Sequence, residues 1–230
     1  MRCPSLENDD WGKLVDRLIK DSVLHSPEVT RALRAVPRVK FLPENMQAYG
    51  AVDTPLPIGF GQTASAPHMV SIMNEALQLQ IGNKVLEVGA GSGWHAATIA
   101  EIIAPSKAPS SERGHVYTVE IVPELAETAR RNIMKAGYGD RVTITHGDGS
   151  LGFPEKAPYD RVVVTAAAPD VPKPLIEQLK SSGIMIIPVG DASLFQSLMR
   201  ITKANGDKIK QENLGGVAFV PLTGRYGHGS

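Results

Sequence analysis

The sequence predicts an α/β protein built on a doubly wound, mostly parallel sheet that ends in an antiparallel hairpin. Three observations carry that expectation. From Val85 onward short apolar segments alternate with amphipathic ones. The apolar segments run almost continuously in Val, Ile and Leu instead of alternating with polar residues, as strands buried on both faces do. A glycine-rich turn, Gly89-Ala90-Gly91-Ser92-Gly93, joins the first of these strands to a helix. Aromatic residues are few, 5 Phe, 5 Tyr and 2 Trp, so aliphatic side chains must fill the core. That composition suits a sheet covered by helices.

The elements follow in order. Trp11, Leu14 and Leu18, with Val15 and Ile19 beside them, recur at helical spacing within Asp10 to Leu24. Ser26-Pro27-Glu28 reads as a helix start with a hydroxyl at the N-cap, and Pro37 closes that helix. From Phe41 to Ala66 prolines and glycines punctuate the chain and no period survives. Leu56, Ile58 and Phe60 could anchor this stretch as a shaped loop. A helix with Ser65 as N-cap and Met69, Met73, Ala76 and Leu77 on one face follows. Strands are then expected at Val85 to Val88, His115 to Val119, Val142 to Thr145, Arg161 to Thr165 and Ile184 to Val189. Helices are expected at Trp94 to Ala104, Pro123 to Ala136 and Pro174 to Lys180. Ser197 to Thr202, Asn205-Gly206 and a weaker run to Pro221 read as the closing hairpin, Asn-Gly being the strongest two-residue turn signal. Ala104 to Gly114 reads as an exposed loop.

A chain of 230 residues fits one to one and a half domains at about 150 residues each. Residues 1–80 read as a helical and loop cap integral to one catalytic unit, and residues 81–230 as the ligand-binding α/β domain. Lys and Arg number 24 against 24 Asp and Glu, with no field to collect nucleic acid or anionic lipid. Cys3 is the lone cysteine, which excludes an intrachain disulfide and a cysteine-based zinc site, and no metal is expected. Nowhere do eighteen apolar residues run together, as a membrane helix would require. A cytoplasmic protein without membrane or nucleic-acid partners is expected, and a monomer is compatible with every feature.

Chemistry concentrates at the strand ends. In an open α/β sheet ligands bind outside the carboxyl ends of strands, and glycines there let a ligand approach the backbone. The spacing is G-x-G-x-G, whereas the dinucleotide fingerprint is G-x-G-x-x-G. Glu120 ends the next strand, where a carboxylate can accept hydrogen bonds from both hydroxyls of a ribose. Asp148-Gly149 follows the third, where an acid could meet an adenine amino group. Together they point to an adenosyl ligand.

The constellation resembles the class I methyltransferases, Rossmann-like enzymes that use S-adenosylmethionine and release S-adenosyl-L-homocysteine. Within them, the run Asp53-Thr54-Pro55-Leu56-Pro57-Ile58-Gly59-Phe60-Gly61-Gln62-Thr63-Ala64-Ser65-Ala66-Pro67-His68-Met69, after Ala35-Val36-Pro37-Arg38, looks like the protein-L-isoaspartate O-methyltransferase signature. Further matches extend from Thr145-His146-Gly147-Asp148-Gly149 to Phe219-Val220-Pro221-Leu222-Thr223. Trp94 and His95 depart from the expected pattern and read as the first turn of a packed helix.

The resemblance implies methylation of the free α-carboxylate of L-isoaspartyl residues, and of D-aspartyl side chains, in damaged proteins and peptides. It implies cofactor contacts from Thr63, His68, Glu87, Gly89, Ala90, Gly91, Gly93, Glu120, Ile121, Asp148, Gly149 and Thr223. It also places Asp53, Ile58, Gly59 and Ser65 toward the substrate, with Ser65 orienting the accepting carboxylate. A carboxylate is already ionised at pH 7, so no strong general base is required. The small residues of Thr165-Ala166-Ala167-Ala168-Pro169 suit such an acceptor better than an amine. A nicotinamide-dependent oxidoreductase, a methyltransferase for a small-molecule acceptor and an adenosyl-binding module without catalysis are the competing readings.

Overall fold

The computed structural model describes residues 6–191, 195–204 and 208–229. Two helices open the chain, α1 (Leu6–Lys20) and α2 (Pro27–Ala35). α1 stops short of the expected Leu24 because Ser22 takes φ 58° and the amides of Val23 and Leu24 both turn back to the carbonyl of Leu18. That turn returns Leu24 to the core beside Trp11, Leu14, Val15 and Leu18, while Ile19 faces outward. α2 starts at Pro27 as expected, but the Ser26 hydroxyl does not cap it. It donates to Glu75 Oε2 at 2.7 Å, and the amides of His25 and Ser26 donate to Glu75 Oε1. The hydroxyl therefore ties α2 to a neighbouring helix.

The stretch without a period contains two 3₁₀ turns, Arg38–Phe41 and Glu44–Tyr49, and a hairpin of β1 (Leu56–Gly59) and β2 (Gln62–Ala64). Gly59, Phe60 and Gly61 all have positive φ, which reverses the chain within three residues. α3 (Pro67–Leu77) has Ala66 as its N-cap, so the expected capping role of Ser65 is corrected: Ser65 stands one residue outside the helix. Proline at N1 sets the helix start, and Ser65 is held by its carbonyl instead.

The alternation then runs β3 (Lys84–Val88), α4 (Trp94–Ile103), β4 (His115–Glu120), α5 (Pro123–Lys135), β5 (Val142–His146), β6 (Tyr159–Val164), α6 (Lys173–Glu177), β7 (Leu179–Val189), β8 (Gln196–Lys203) and β9 (Ile209–Val217). α6 ends before the expected Lys180 because Leu179 already pairs with Tyr159 in the sheet. The Asn205-Gly206 turn lies outside the described residues, but β8 and β9 pair antiparallel around it. The loop between α4 and β4 is mostly exposed and is held by Arg113, whose guanidinium donates to the carbonyls of Ala108 and Ser106.

Seven strands form one sheet in the order β5-β4-β3-β6-β7-β8-β9, parallel through β7 and antiparallel beyond it. Strand order reverses direction between β3 and β6, so a crevice opens at their carboxyl ends. One sheet face, with Val85, Val116, Val163, Ile184 and Ile186, packs on α1 to α5. The other, with Leu86, Val162, Val164, Met185 and Ile187, packs on α6 and Tyr159. The layers are unequal, because among the described residues the second face carries one short helix. No helix among the described residues is long and apolar enough to cross a membrane.

Ile99 sits fully buried where α4 meets the sheet. Ile99→Ala is expected to lower stability by about 2–5 kcal/mol through lost burial and a residual cavity. Denaturant unfolding should show a lower midpoint with little change in slope, whereas an unchanged midpoint would remove α4 from the core.

Candidate active site

A cleft opens at the reversal between β3 and β6, bounded by Thr63 to Ser65, Gly89 to Ser92, Glu120 and Ile121, Gly149, Thr165 and Ala166, and Val220 to Thr223. Its empty space, counting that open to solvent, is about 790 Å³. A second cavity adjoins it, with about 820 Å³ of empty space counted the same way, lined by Pro55, His68, Met69, Phe195 and residues 216–220. Thr63, Ser65, Thr165 and Val220 line both.

The floor of the first cleft needs its glycines. Gly89 has φ 95°, and a Cβ there would stand 2.3 Å from Thr165 Oγ1. That hydroxyl, at 3.0 and 2.8 Å from the carbonyl oxygens of Val88 and Gly89, seals the seam between β3 and β6. Gly91, at φ 53°, lies over Ile58 and donates its amide to Glu120 Oε2 at 2.8 Å. Glu120 Oε1 accepts from the amide of Val122 at 3.0 Å. Each carboxylate oxygen thus keeps a free lone pair while the side chain is fixed at two points. A fixed acid beside a glycine floor fits an adenosyl ligand, with the ribose hydroxyls donating to Glu120.

Arg38 shapes the wall. Its guanidinium is fully buried and directs all five N–H donors at carbonyl oxygens: Nε to Gly50, one terminal nitrogen to Thr54 and Ser65, the other to Tyr49 and Val52. Burial pulls its pKa down to about 10, against the favourable field of Asp53. The Trp94 ring lies 5.6 Å beneath the guanidinium, donates its own N–H to Val36, and meets Trp11 edge to face. Trp94, unexpected in the sequence, is therefore the platform on which the loop clamp rests.

The expected residues divide between the cavities and their supports. Thr63, Ser65, Gly89, Ala90, Gly91, Glu120, Ile121, Gly149 and Thr223 line the first cleft. His68 lines the second, where its amide and Nδ1 both meet Asp53 Oδ1 at 2.9 and 3.0 Å, so Asp53 acts as an anchor for His68. Ile58 supports Gly91 from below, Gly59 forms the hairpin turn, and Gly93 packs on Ile133 and Ala129. Asp148 is tied beside the cleft residue Gly149: Oδ1 accepts from the amide and hydroxyl of Ser150, and Oδ2 from the amide of Arg225. Thr165 and the segment 220–222 line the cleft and were not among the expected site residues. The position of Thr165, at the end of a strand beside the reversal point, was the available signal.

Glu87 is not part of the cleft wall. Side chains alternate along β3, and Glu87 points to the helical face, fully buried, where Thr118 donates to its Oε2 at 2.6 Å. Among the described residues its Oε1 has no hydrogen-bond partner and lies 3.7 Å from His95 Nδ1, which has none either. Burial pushes Glu87 up to about 8, the Thr118 bond opposes this and Glu120 adds to it, while burial brings His95 down to about 4.

A raised acid binds a proton in the folded state that the unfolded chain has already lost. Its stabilising contribution is complete below about 4.5 and fades as pH rises through 8. His95 acts in the opposite sense only between about 4 and 6.5. The thermal midpoint should therefore fall between pH 6.5 and 8, and Glu87→Gln should flatten that slope; a slope unchanged in the variant would contradict the assignment.

A family model described as protein-L-isoaspartate(D-aspartate) O-methyltransferase matches residues 9–227. A protein-L-isoaspartate O-methyltransferase of Hyperthermus butylicus is 53% identical over 229 residues, covering 97% of this chain and 95% of its own length. One of Thermococcus sibiricus is 50% identical, covering 94% and 95%. Among solved structures, a Plasmodium falciparum protein named for the same activity, crystallised with S-adenosyl-L-homocysteine, superposes with a TM-score of 0.81 at 27% identity, covering 93% of this chain and 98% of that one. A second protein-L-isoaspartate O-methyltransferase gives 0.83 at 29% identity, covering 94% of this chain and 67% of that one.

Proposed function

The chain belongs to the protein-L-isoaspartate(D-aspartate) O-methyltransferase family, and we propose that its two adjoining cavities hold S-adenosylmethionine and a damaged aspartyl residue on either side of Thr63, Ser65 and Thr165. The activity is transfer of a methyl group to the free α-carboxylate of L-isoaspartyl residues in proteins and peptides, with D-aspartyl side chains as a second acceptor. When bound, S-adenosylmethionine supplies a methyl group on a cationic sulfur, open to attack by an ionised carboxylate. A cytoplasmic setting accords with the lone cysteine.

The observation that carries the reading is that Ser65 lines both cavities. Glu120, fixed by the amides of Gly91 and Val122, accepts from the ribose. Gly89, Ala90 and Gly91 leave room for the ligand against the backbone, and Ile121, Gly149 and Thr223 border it. Ser65 donates its hydroxyl to one oxygen of the accepting carboxylate and holds the other toward the first cleft. The chain needs no base, because the acceptor arrives ionised. Its task is alignment and exclusion of water, which can supply as much as about 7–11 kcal/mol. The apolar lining of the second cavity, with Met69, Val217 and Phe219, strips the carboxylate of solvent. Gly216 and Val217, at the end of β9, line the second cavity, which suits a substrate recognised by backbone, since damage arises in many sequences.

Labelled methyl should pass from S-adenosylmethionine to a peptide carrying L-isoaspartate and not to its matched L-aspartyl peptide. Ser65→Ala should slow turnover on saturating isoaspartyl peptide by about a hundredfold, the effect of losing one donor at a reacting centre, with donor affinity held within about twofold. Equal labelling of both peptides would refute the substrate assignment, and unchanged turnover would refute the role of Ser65.

A further inference from the structure

Behind the cleft, Glu87 and His95 occupy a buried site that the alignment of methyl and carboxylate leaves unused. Five polar side chains connect β3, β4, α3 and α4 there. Thr118 on β4 donates to Glu87 Oε2. Asn74 on α3 donates its amide nitrogen to Thr98 Oγ1 at 3.2 Å, so its oxygen faces His95 Nε2 at 3.1 Å. Nε2 therefore carries the ring hydrogen, and Nδ1 presents a lone pair. Opposite that lone pair, Glu87 Oε1 lies 3.7 Å away, and both atoms are buried without a hydrogen-bond partner among the described residues. Two such atoms facing one another have room for one proton between them.

The charged surroundings are sparse. Glu87 pairs in register with Thr118 on one side and Val163 on the other, and neither carries charge. α4 brings His95, α3 brings the neutral Asn74, and β4 brings Glu120, whose negative field discourages a second carboxylate. No cation among the described residues faces Glu87, so an ionised carboxylate there would stand uncompensated. His95 also lines the cleft and forms the partition between it and Glu87.

Resting on the cofactor reading above, we propose that Glu87, behind His95, is a specificity-determining residue that favours a cationic sulfonium donor over the neutral sulfide product. The O–H bond of Glu87 Oε1 breaks as the cation enters the cleft, its proton passes to solvent, and the carboxylate supplies the countercharge. Once the charge on sulfur is gone, Glu87 takes a proton back from solvent, and the attraction that held the donor is absent for the product. The other charged groups of the two ligands are shared and cannot separate them. Burial already holds Glu87 near pH 8, so a modest field suffices to change its state.

Calorimetric binding of S-adenosylmethionine and S-adenosyl-L-homocysteine, at pH 7.5 in buffers of different ionisation enthalpy, counts the protons. Two unit charges in a partly screened site give about half a proton more released with the donor than with the product. Glu87→Gln should abolish that difference and weaken the donor about fivefold while leaving the product within about twofold. Should the variant fail to fold, infrared difference spectra of the wild type decide the matter instead: the protonated-acid carbonyl stretch is lost on adding donor and kept on adding product. Equal proton counts for the two ligands, a variant that weakens both alike, or an infrared band indifferent to the donor would each overturn the proposal. Absence of donor binding altogether would overturn the cofactor reading with it.

Discussion

The Arg38 guanidinium is the constraint on which the site depends. Residues 49 to 65 have no regular structure to satisfy their carbonyl groups, apart from a hairpin of a few residues. Carbonyl groups of this largely exposed loop that turn inward toward the buried guanidinium would be acceptors without donors, each costing about 1–3 kcal/mol. Arg38 donates to five carbonyls at once, those of Tyr49, Gly50, Val52, Thr54 and Ser65, of which Tyr49 and Val52 also accept from the amides of Val52 and Thr54. The planar fork with five donors in fixed directions makes this possible; an ammonium offers only three, without the fixed directions. Trp94, anchored to Val36 and braced by Trp11, keeps the fork level. The N-terminal helices thus fix the position of Ser65 through two tryptophans and one arginine.

A second constraint comes from topology. Parallel strands that diverge in connection order leave a crevice at β3 and β6, and the chain closes its seam with Thr165 and opens its floor with Gly89. Glu120 belongs to the neighbouring strand and is tied to the same floor through Gly91. The fixed carboxylate and the backbone clearance are therefore one rigid unit. Ser65 belongs to a different unit, the clamped loop, and faces both cavities where the two units meet.

The sheet was legible because its central strands run largely in Val, Ile and Leu. The place of Gly89, Gly91 and Glu120 at the cleft was legible because glycines and an acid at strand ends stand out in the sequence. The β1–β2 hairpin was not, since strands of four and three residues are too short to show a period. Ser65 before Pro67 has the grammar of a helix cap, and only the fold shows its carbonyl drawn to Arg38. The clamp itself leaves no pattern, because carbonyl groups are common to every residue. Glu87, adjacent to the glycine turn in sequence, points by the pleat of β3 to the helical face, where His95 stands between it and the cleft. The bond from the amide of Arg225 to Asp148 was not legible, because the two residues lie 77 positions apart.

The most direct test compares methyl transfer in a single turnover with donor affinity in Arg38→Lys. If the clamp sets Ser65 against the cleft while Glu120 and the glycine floor hold the donor independently, transfer should slow by about a hundredfold, as misplacement of an aligning group by an ångström does, with donor affinity nearly unchanged. Transfer at the wild-type rate, or rate and affinity falling in step, would show that Ser65 does not depend on Arg38 for its position.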